Sequence, residues 1–266
     1  MILLKIITFS TLKGGVGKSS CLFNLSGILS ENNKKVLAID IDPQGNTTNN
    51  FGIDRTSPSF KSFKDIMEDN LSLDEIIIKS PIEALPNLDI IPSSIFLTST
   101  EMRLVSFAGR EYILKNYIEE HINIFSSYDY ILIDTNPSMS IINQNALVVA
   151  DHIILVSDIS MNSLEGSELF IALWSDICKR LSIESKISGF LINMFDKRIN
   201  LSSQFFDFCK SHEDISKLLF NTVIPNNVKI KEAELEAKPI NLYDSSSSGY
   251  RGYINLYDEM KERGVF

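Results

Sequence analysis

Residues 5–20 read "KIITFSTLKGGVGKSS", and the fold follows from how that stretch divides. "KIITFS" (5–10) is a strand-like apolar run, and Lys18 opens the amphipathic helical pattern "KSSCLFNLSGILSEN". Between them, Gly14, Gly15 and Gly17 let the backbone curl where a Cβ would collide. Strand, glycine loop and helix in that order aim backbone N–H groups and a helix N-terminus at one point, which binds anions. Lys18 supplies charge to the β/γ-phosphates of a nucleotide, and the Ser19 hydroxyl is a ligand for Mg²⁺. The common phosphate loop, G-x-x-x-x-G-K-[ST], would have its first glycine where Leu12 stands. A second lysine, Lys13, follows instead.

Further apolar runs lie at "KVLAID" (35–40), "LDIIPS" (88–93), "YDYILID" (128–134), "HIILVS" (152–157), "ISGFLINM" (187–194) and "LLFNTVI" (218–224). Amphipathic stretches separate them: "TEMRLVSFAGREYILKNYIEEHI", "SLEGSELFIALWSDICKRL" and "SSQFFDFCKSH". Near-continuous apolar strands alternating with helices predict an α/β fold, a mostly parallel sheet with helices on both faces. Residues 51–86 break the rhythm and are expected to be an insertion of short helices and loop. The patch "DSSSSG" (244–249) reads as a solvated loop before a last helix. With no internal repeat and no dividing linker, residues 1–266 are expected to form a single domain. The first strand is expected to begin at about residue 2, leaving no room for an N-terminal helix-turn-helix.

Three carboxylates fall at ends of predicted strands. Asp40 and Asp42 flank the end of "KVLAID" until Pro43 turns the chain, and Asp134 ends "YDYILID". Open parallel sheets bind ligands beyond the carboxyl ends of their strands, so the three acids face the phosphate loop as a metal–nucleotide constellation.

The net charge of −9 excludes a protein coated in basic residues, but not a local patch. From Lys179 to Lys231 there are nine Lys/Arg against five Asp/Glu, so this segment is +4 and the remainder −13. Such asymmetry is an electrostatic footprint for phosphate. No apolar run reaches the roughly 18 residues of a membrane span. Cys21, Cys178 and Cys209 form no C-x-x-C pair and read as buried thiols of a cytoplasmic protein.

"KGGVGKS", "DIDPQGN", "YDYILIDTNPS", "NAL" (145–147) and "LEG" (164–166) together resemble the ParA/Soj-like partition ATPases, the deviant Walker A group that also contains MinD. The likeness continues through "GRE" (109–111), "DKRINLS" (196–202), "IPNNVKIKEA" (224–233) and "KPINLYD" (238–244), almost end to end. It implies an ATP- and Mg²⁺-dependent ATPase of the P-loop fold that forms a face-to-face homodimer when it binds ATP. In such a dimer Lys13 reaches the partner's phosphates, a cation that stabilises the transferring phosphoryl group only once two subunits meet. The resemblance also implies phosphate binding by Gly14, Gly15, Val16, Gly17 and Lys18, and an α-phosphate contact from Ser20. Asp42 positions the attacking water, while Ser19, Asp40 and Asp134 serve the metal and its waters. Asn193 and the backbone around Pro225 resemble adenine-contacting positions.

Some residues depart from the family pattern. Ser19-Ser20 replace a pair of threonines, and Asn136 stands at a usual proline. Asn226 and Ser248 stand where basic residues are common, which lowers the DNA affinity the resemblance implies. Arg198, Lys229 and Lys231 are the expected DNA contacts, reading backbone rather than sequence. The C-terminal "GYINLYDEMKERGVF" lacks the basic amphipathic character of a MinD-like membrane helix and reads as a packing helix. The expected function is ATP-dependent DNA partitioning in the cytoplasm, on the nucleoid when ATP is bound, with a ParB-like partner stimulating hydrolysis. The alternative is a positioning switch acting on a protein complex or a membrane.

Overall fold

The computed structural model describes residues 4–56, 60–68 and 72–266. The expected start of the first strand, at about residue 2, lies outside them. The described strands are β1 (Lys5–Ser10), β2 (Val36–Asp40), β3 (Leu88–Ile91), β4 (Tyr130–Asp134), β5 (His152–Ser157), β6 (Ile187–Phe195) and β7 (Leu219–Pro225). They form one sheet, parallel throughout, in the order β3-β2-β4-β1-β5-β6-β7. Each of the seven apolar runs becomes a strand because helices cover both faces of the sheet. Every residue of β2 and β4 is buried, so neither strand needs a polar side.

On one face, helix α1 (Lys18–Glu31), the helix Val228–Leu235 and the helix Ser248–Glu262 pack on Phe9, Ala38, Leu132, Val156 and Phe220. On the other, the helices Ile113–Glu120 and Ile141–Val149 cover Leu37, Ile39, Ile131 and Ile133. The helices Met161–Leu181 and Asn200–Ser211 cover Ile153, Leu155, Phe190 and Ile192. β1 lies between β4 and β5, with β2 and β3 to one side and β6 and β7 to the other. A reversal of strand order of this kind opens a crevice at the carboxyl ends, where such sheets hold ligands.

The stretch 100–122 differs from its amphipathic pattern. Its helix Leu97–Leu104 stops, Gly109 takes a left-handed φ of 70°, and a 3-10 turn, Arg110–Tyr112, precedes the helix Ile113–Glu120. Buried Asn145 holds the break: its Nδ2 donates to the Arg110 carbonyl (2.7 Å) and its Oδ1 accepts from the Leu114 N–H (3.0 Å). Two quoted motifs, "GRE" and "NAL", therefore meet in space. The insertion contains the short helices Phe63–Met67 and Leu73–Ile76 and an antiparallel bridge from Ile78 to Ile90.

Tyr253, Leu256, Tyr257 and Met260 are buried, which makes the last helix a packing helix. Cys21, Cys178 and Cys209 are buried free thiols. Among the described residues no helix is long and apolar enough to cross a membrane.

Candidate nucleotide site

The loop between β1 and α1 owes its shape to glycine. Gly15 and Gly17 have φ of 78° and 87°, the left-handed region that L side chains rarely adopt. At Gly17 a Cβ would stand 2.2 Å from Asn193 Nδ2. That Nδ2 donates to the Val16 carbonyl (2.8 Å), and Asn193 Oδ1 accepts from the Met194 N–H (2.8 Å). Asn193, at the end of β6, thus clamps the loop from across the crevice. Met194 has a φ of 56°, left-handed for a non-glycine residue.

Lys18 is 7% exposed at the first position of α1. Burial pushes its ammonium below the usual lysine range, and the carboxylates of Asp134 and Asp42 push it back up. The Ser19 hydroxyl donates to Asp134 Oδ2 (2.6 Å), which also accepts from Thr47 Oγ1 (2.7 Å). Asp134 Oδ1 is buried and unpartnered. Asp40 and Asp134 stand opposite one another in the register of β2 and β4. Burial, then the proximity of Asp134, pushes the Asp40 carboxyl up to about 8. Burial likewise raises Asp134, against the opposing pull of Lys18, Ser19 and Thr47.

The donors here suit Mg²⁺. A hard cation takes one or two carboxylates and hydroxyls together with substrate phosphates, not an all-protein cage. Ser19 and the unpartnered Asp134 oxygen offer such ligands, and among the described residues no group of three or more His, Cys, Asp or Glu is placed to enclose a metal. Asp40 fits less directly, because its oxygens already accept from Thr48 N (2.8 Å), Thr48 Oγ1 (2.7 Å) and Asp42 N (3.1 Å). It holds the turn that carries Asp42. Asp42 is 6% exposed, accepts from Gln44 N (2.9 Å) through Oδ1, and faces the cavity. From behind, Ser93 Oγ donates to the Asp42 carbonyl (2.5 Å), and the Arg55 guanidinium donates to the Gln44 carbonyl (2.8 Å).

Together these groups line a cavity of about 400 Å³, within the size range of small-molecule sites. Gly14, Gly15, Gly17, Lys18, Ser19, Ser20 and Asp42 form one wall. Asn193, Met194 and Pro225 stand at the ends of β6 and β7, and Asn227, Ile230, Lys231, Glu234 and Tyr253 are among the other lining residues. The adenine-contact candidates, Asn193 and Pro225, therefore do share a cavity with the loop. Lys13 does not line it. Its Nζ donates to Asp158 Oδ2 and Ser160 Oγ, each at 2.7 Å, at the start of the helix Met161–Leu181.

The three DNA candidates follow the ends of the paired strands β6 and β7, but in different settings. Arg198 is paired with Asp196 through two hydrogen bonds (2.9 and 2.7 Å), which hold the Asp196 carboxyl down to about 2. Lys229 Nζ donates to Glu232 (2.8 Å). Lys231 is exposed and lies on the cavity rim. Thr47, Thr48, Ser93, Arg55, Asp158 and Glu234 carry no motif that marks them, although Thr47 and Thr48 directly follow "DPQGN".

Comparison with known proteins gives the same picture. A family model described as "AAA domain" matches residues 4–188. The sporulation initiation inhibitor protein Soj of Bacillus subtilis is 36% identical over 98% of this chain and 99% of its own length. The chromosome partitioning protein ParA of Myxococcus xanthus is 31% identical over 97% of this chain and 88% of its own. A plasmid partition protein of Borrelia burgdorferi bound to AMPPNP superposes with a TM-score of 0.79 at 26% identity, covering 97% of this chain and 99% of that one.

Proposed function

Because this chain belongs to the ParA/Soj family of partition P-loop ATPases, we propose that it is an ATP-switched partitioning protein that dimerises with ATP and then binds DNA without regard to sequence. In this reading the N–H groups of Gly14, Gly15, Val16 and Gly17, with the Lys18 ammonium, hold the phosphates. Ser19 and Asp134 would hold Mg²⁺. When bound, Mg²⁺ would neutralise charge on the β- and γ-phosphoryl oxygens. Asp42 orients the attacking water, because phosphoryl transfer depends chiefly on positioning and electrostatics. Asp40 and Thr48 keep the Asp42 turn in place, and Asn193 keeps the loop curled.

The observation that carries the switch is the position of Lys13. The loop has a lysine at each end, yet only Lys18 faces the cavity; Lys13 is held outside by Asp158 and Ser160. A lysine facing away from its own phosphates can serve those of a second subunit, once it exchanges Asp158 for them. The trans cation would complete each site only in the dimer, so ATP state and oligomeric state become one variable. A ParB-like partner that stimulates hydrolysis would return the dimer to monomers and release the DNA.

A second reading, a switch whose cargo is a protein complex, is favoured by one observation. Arg198 and Lys229 already have carboxylate partners, so DNA phosphates must displace Asp196 and Glu232. One experiment separates the two. The Asp42→Ala protein should bind ATP, stay dimeric and remain on non-specific DNA at about 50 mM salt, a condition that favours phosphate contacts. A stable ATP-bound dimer with no DNA retention would replace the DNA reading with the protein-cargo one.

A further inference from the structure

Glu234 lies in the last turn of the helix Val228–Leu235 and lines the cavity together with Ser20 and Tyr253. The Ser20 hydroxyl stands 3.3 Å from the Tyr253 hydroxyl on this same wall. Glu234 Oε1 is buried and has no hydrogen-bond partner. Burial raises the Glu234 carboxyl above its usual range, with Ser20 and then Lys231 drawing it back. A carboxylate offers about four lone-pair sites, and an unfilled one in a buried position calls for a donor. Nothing in the nucleotide-loop motif accounts for this acid, and an anion beside a phosphate site is costly unless it does something there.

Its place along the cavity suggests what that is. The glycine loop, with Asn193 clamped to it, and Ser20 mark the phosphate end, while Pro225 and Asn227 carry the lining on past the end of β7. The helix bearing Ile230, Lys231 and Glu234 forms wall beside them. In a nucleoside triphosphate the group between α-phosphate and base is the sugar, and its two hydroxyls are adjacent neutral donors. An acidic side chain accepting from a ribose hydroxyl is a general solution to sugar recognition in α/β nucleotide sites. We infer that Glu234 accepts hydrogen bonds from the ribose hydroxyls and makes this chain select ribonucleoside over 2′-deoxyribonucleoside triphosphates. The inference rests on the reading of the cavity as an ATP site and assigns one of its specificity-determining residues.

The test is equilibrium titration of the full chain with ATP and 2′-deoxy-ATP in Mg²⁺, comparing parent, Glu234→Gln and Glu234→Ala. The parent is expected to prefer ATP by about tenfold, the worth of one hydrogen bond to a charged acceptor. Glu234→Ala should bind the two nucleotides alike, and Glu234→Gln, which keeps an acceptor and the side-chain shape, should retain part of the preference. Equal affinities in the parent, or an unchanged preference in Glu234→Ala, would overturn the inference. So would tighter binding of both nucleotides by the same factor in Glu234→Ala, which would make the carboxylate merely repulsive. A folded parent that binds neither nucleotide would instead sink the ATP reading itself. Failure of the inference leaves ATP bound, so the two failures are distinct.

Discussion

The two sides of the cavity solve the placement of charge in opposite ways. Along β2, β4 and α1 the charged groups Asp40, Asp134 and Lys18 are buried, and their geometry is imposed by strand register and glycine dihedrals. After β6 and along the helix Val228–Leu235, Arg198 and Lys231 are exposed and Lys229 is half-exposed, and two of the three are matched by carboxylates close by in sequence. Buried charges have few arrangements and large energies. Exposed pairs are worth at most about 1 kcal/mol and exchange partners readily. The first side is therefore built to do one chemistry, and the second can be retuned by single substitutions. Asn226 and Ser248, at positions where the resemblance expects basic residues, fall on or beside that second side.

If this contrast holds, the largest effect belongs to Lys18. Lys18→Ala removes a buried cation facing two carboxylates and should weaken ATP binding by more than about a hundredfold, or roughly 3 kcal/mol. Direct titration measures it, and near-parental affinity would break the assignment of the phosphate end.

Lys13→Ala should leave ATP affinity of the single chain within about twofold but abolish the ATP-dependent dimer. Trans cations at phosphoryl-transfer sites contribute about 10³-fold or more to turnover, so hydrolysis should fall by at least about 100-fold. Sedimentation with ATP decides the point: a variant that dimerises like the parent would exclude the trans role.

A smaller effect tests the buried acids through pH. The Asp40 carboxyl is raised in the folded state to about 8, above its unfolded range near 4. The folded chain therefore holds that proton more tightly, and the stability it contributes is full below about pH 4 and is lost as pH rises through about 8. Without Mg²⁺, thermal unfolding should shift a few degrees lower between pH 6 and pH 9, and Asp40→Asn should flatten the shift. Equal pH dependence in both proteins would place the cause elsewhere.

The smallest effect is expected at the exposed side. Arg198→Ala should reduce DNA affinity evenly across sequences and flatten the logarithmic salt slope by about 0.9 per lost phosphate contact, with ATP binding intact. An unchanged slope would mean that Asp196 keeps Arg198 from DNA altogether.

How far the sequence was legible follows the same division. The seven strands show as continuous apolar runs because both sheet faces are covered, and the loop shows because only glycine fits its dihedrals. Asp40, Asp42 and Asp134 are readable as a strand-end constellation, and Ser19 as part of the glycine loop's signature. The contact of Thr47 with Asp134 is not, since it spans 87 residues and arises from strand order rather than from any period. Lys13 with Asp158, 145 residues apart, is hidden for the same reason. The break at Gly109 escapes the helical pattern because its support comes from Asn145, a side chain on another helix. Glu234 lies in a short helix whose neighbours give no hint that its carboxylate enters a cavity.

The placement of β1 also bears on how the protein is made. Of the described strands this one is synthesised first, yet its partners are β4 and β5, and Lys5 Nζ donates to the Gly264 carbonyl (2.7 Å). Ser20, at the start of the helix that follows, touches Tyr253, 233 residues later. At about 5–20 residues per second, roughly 10–50 s of translation separate the synthesis of Ser20 from that of Tyr253. For more than half of that interval the glycine loop lacks at least one of its flanking strands, and throughout it lacks the completed helix that backs α1. The site would therefore acquire nucleotide only after the helix bearing Tyr253 has emerged, and ATP would act as a late ligand that draws the finished fold into the native state and cannot template its first half.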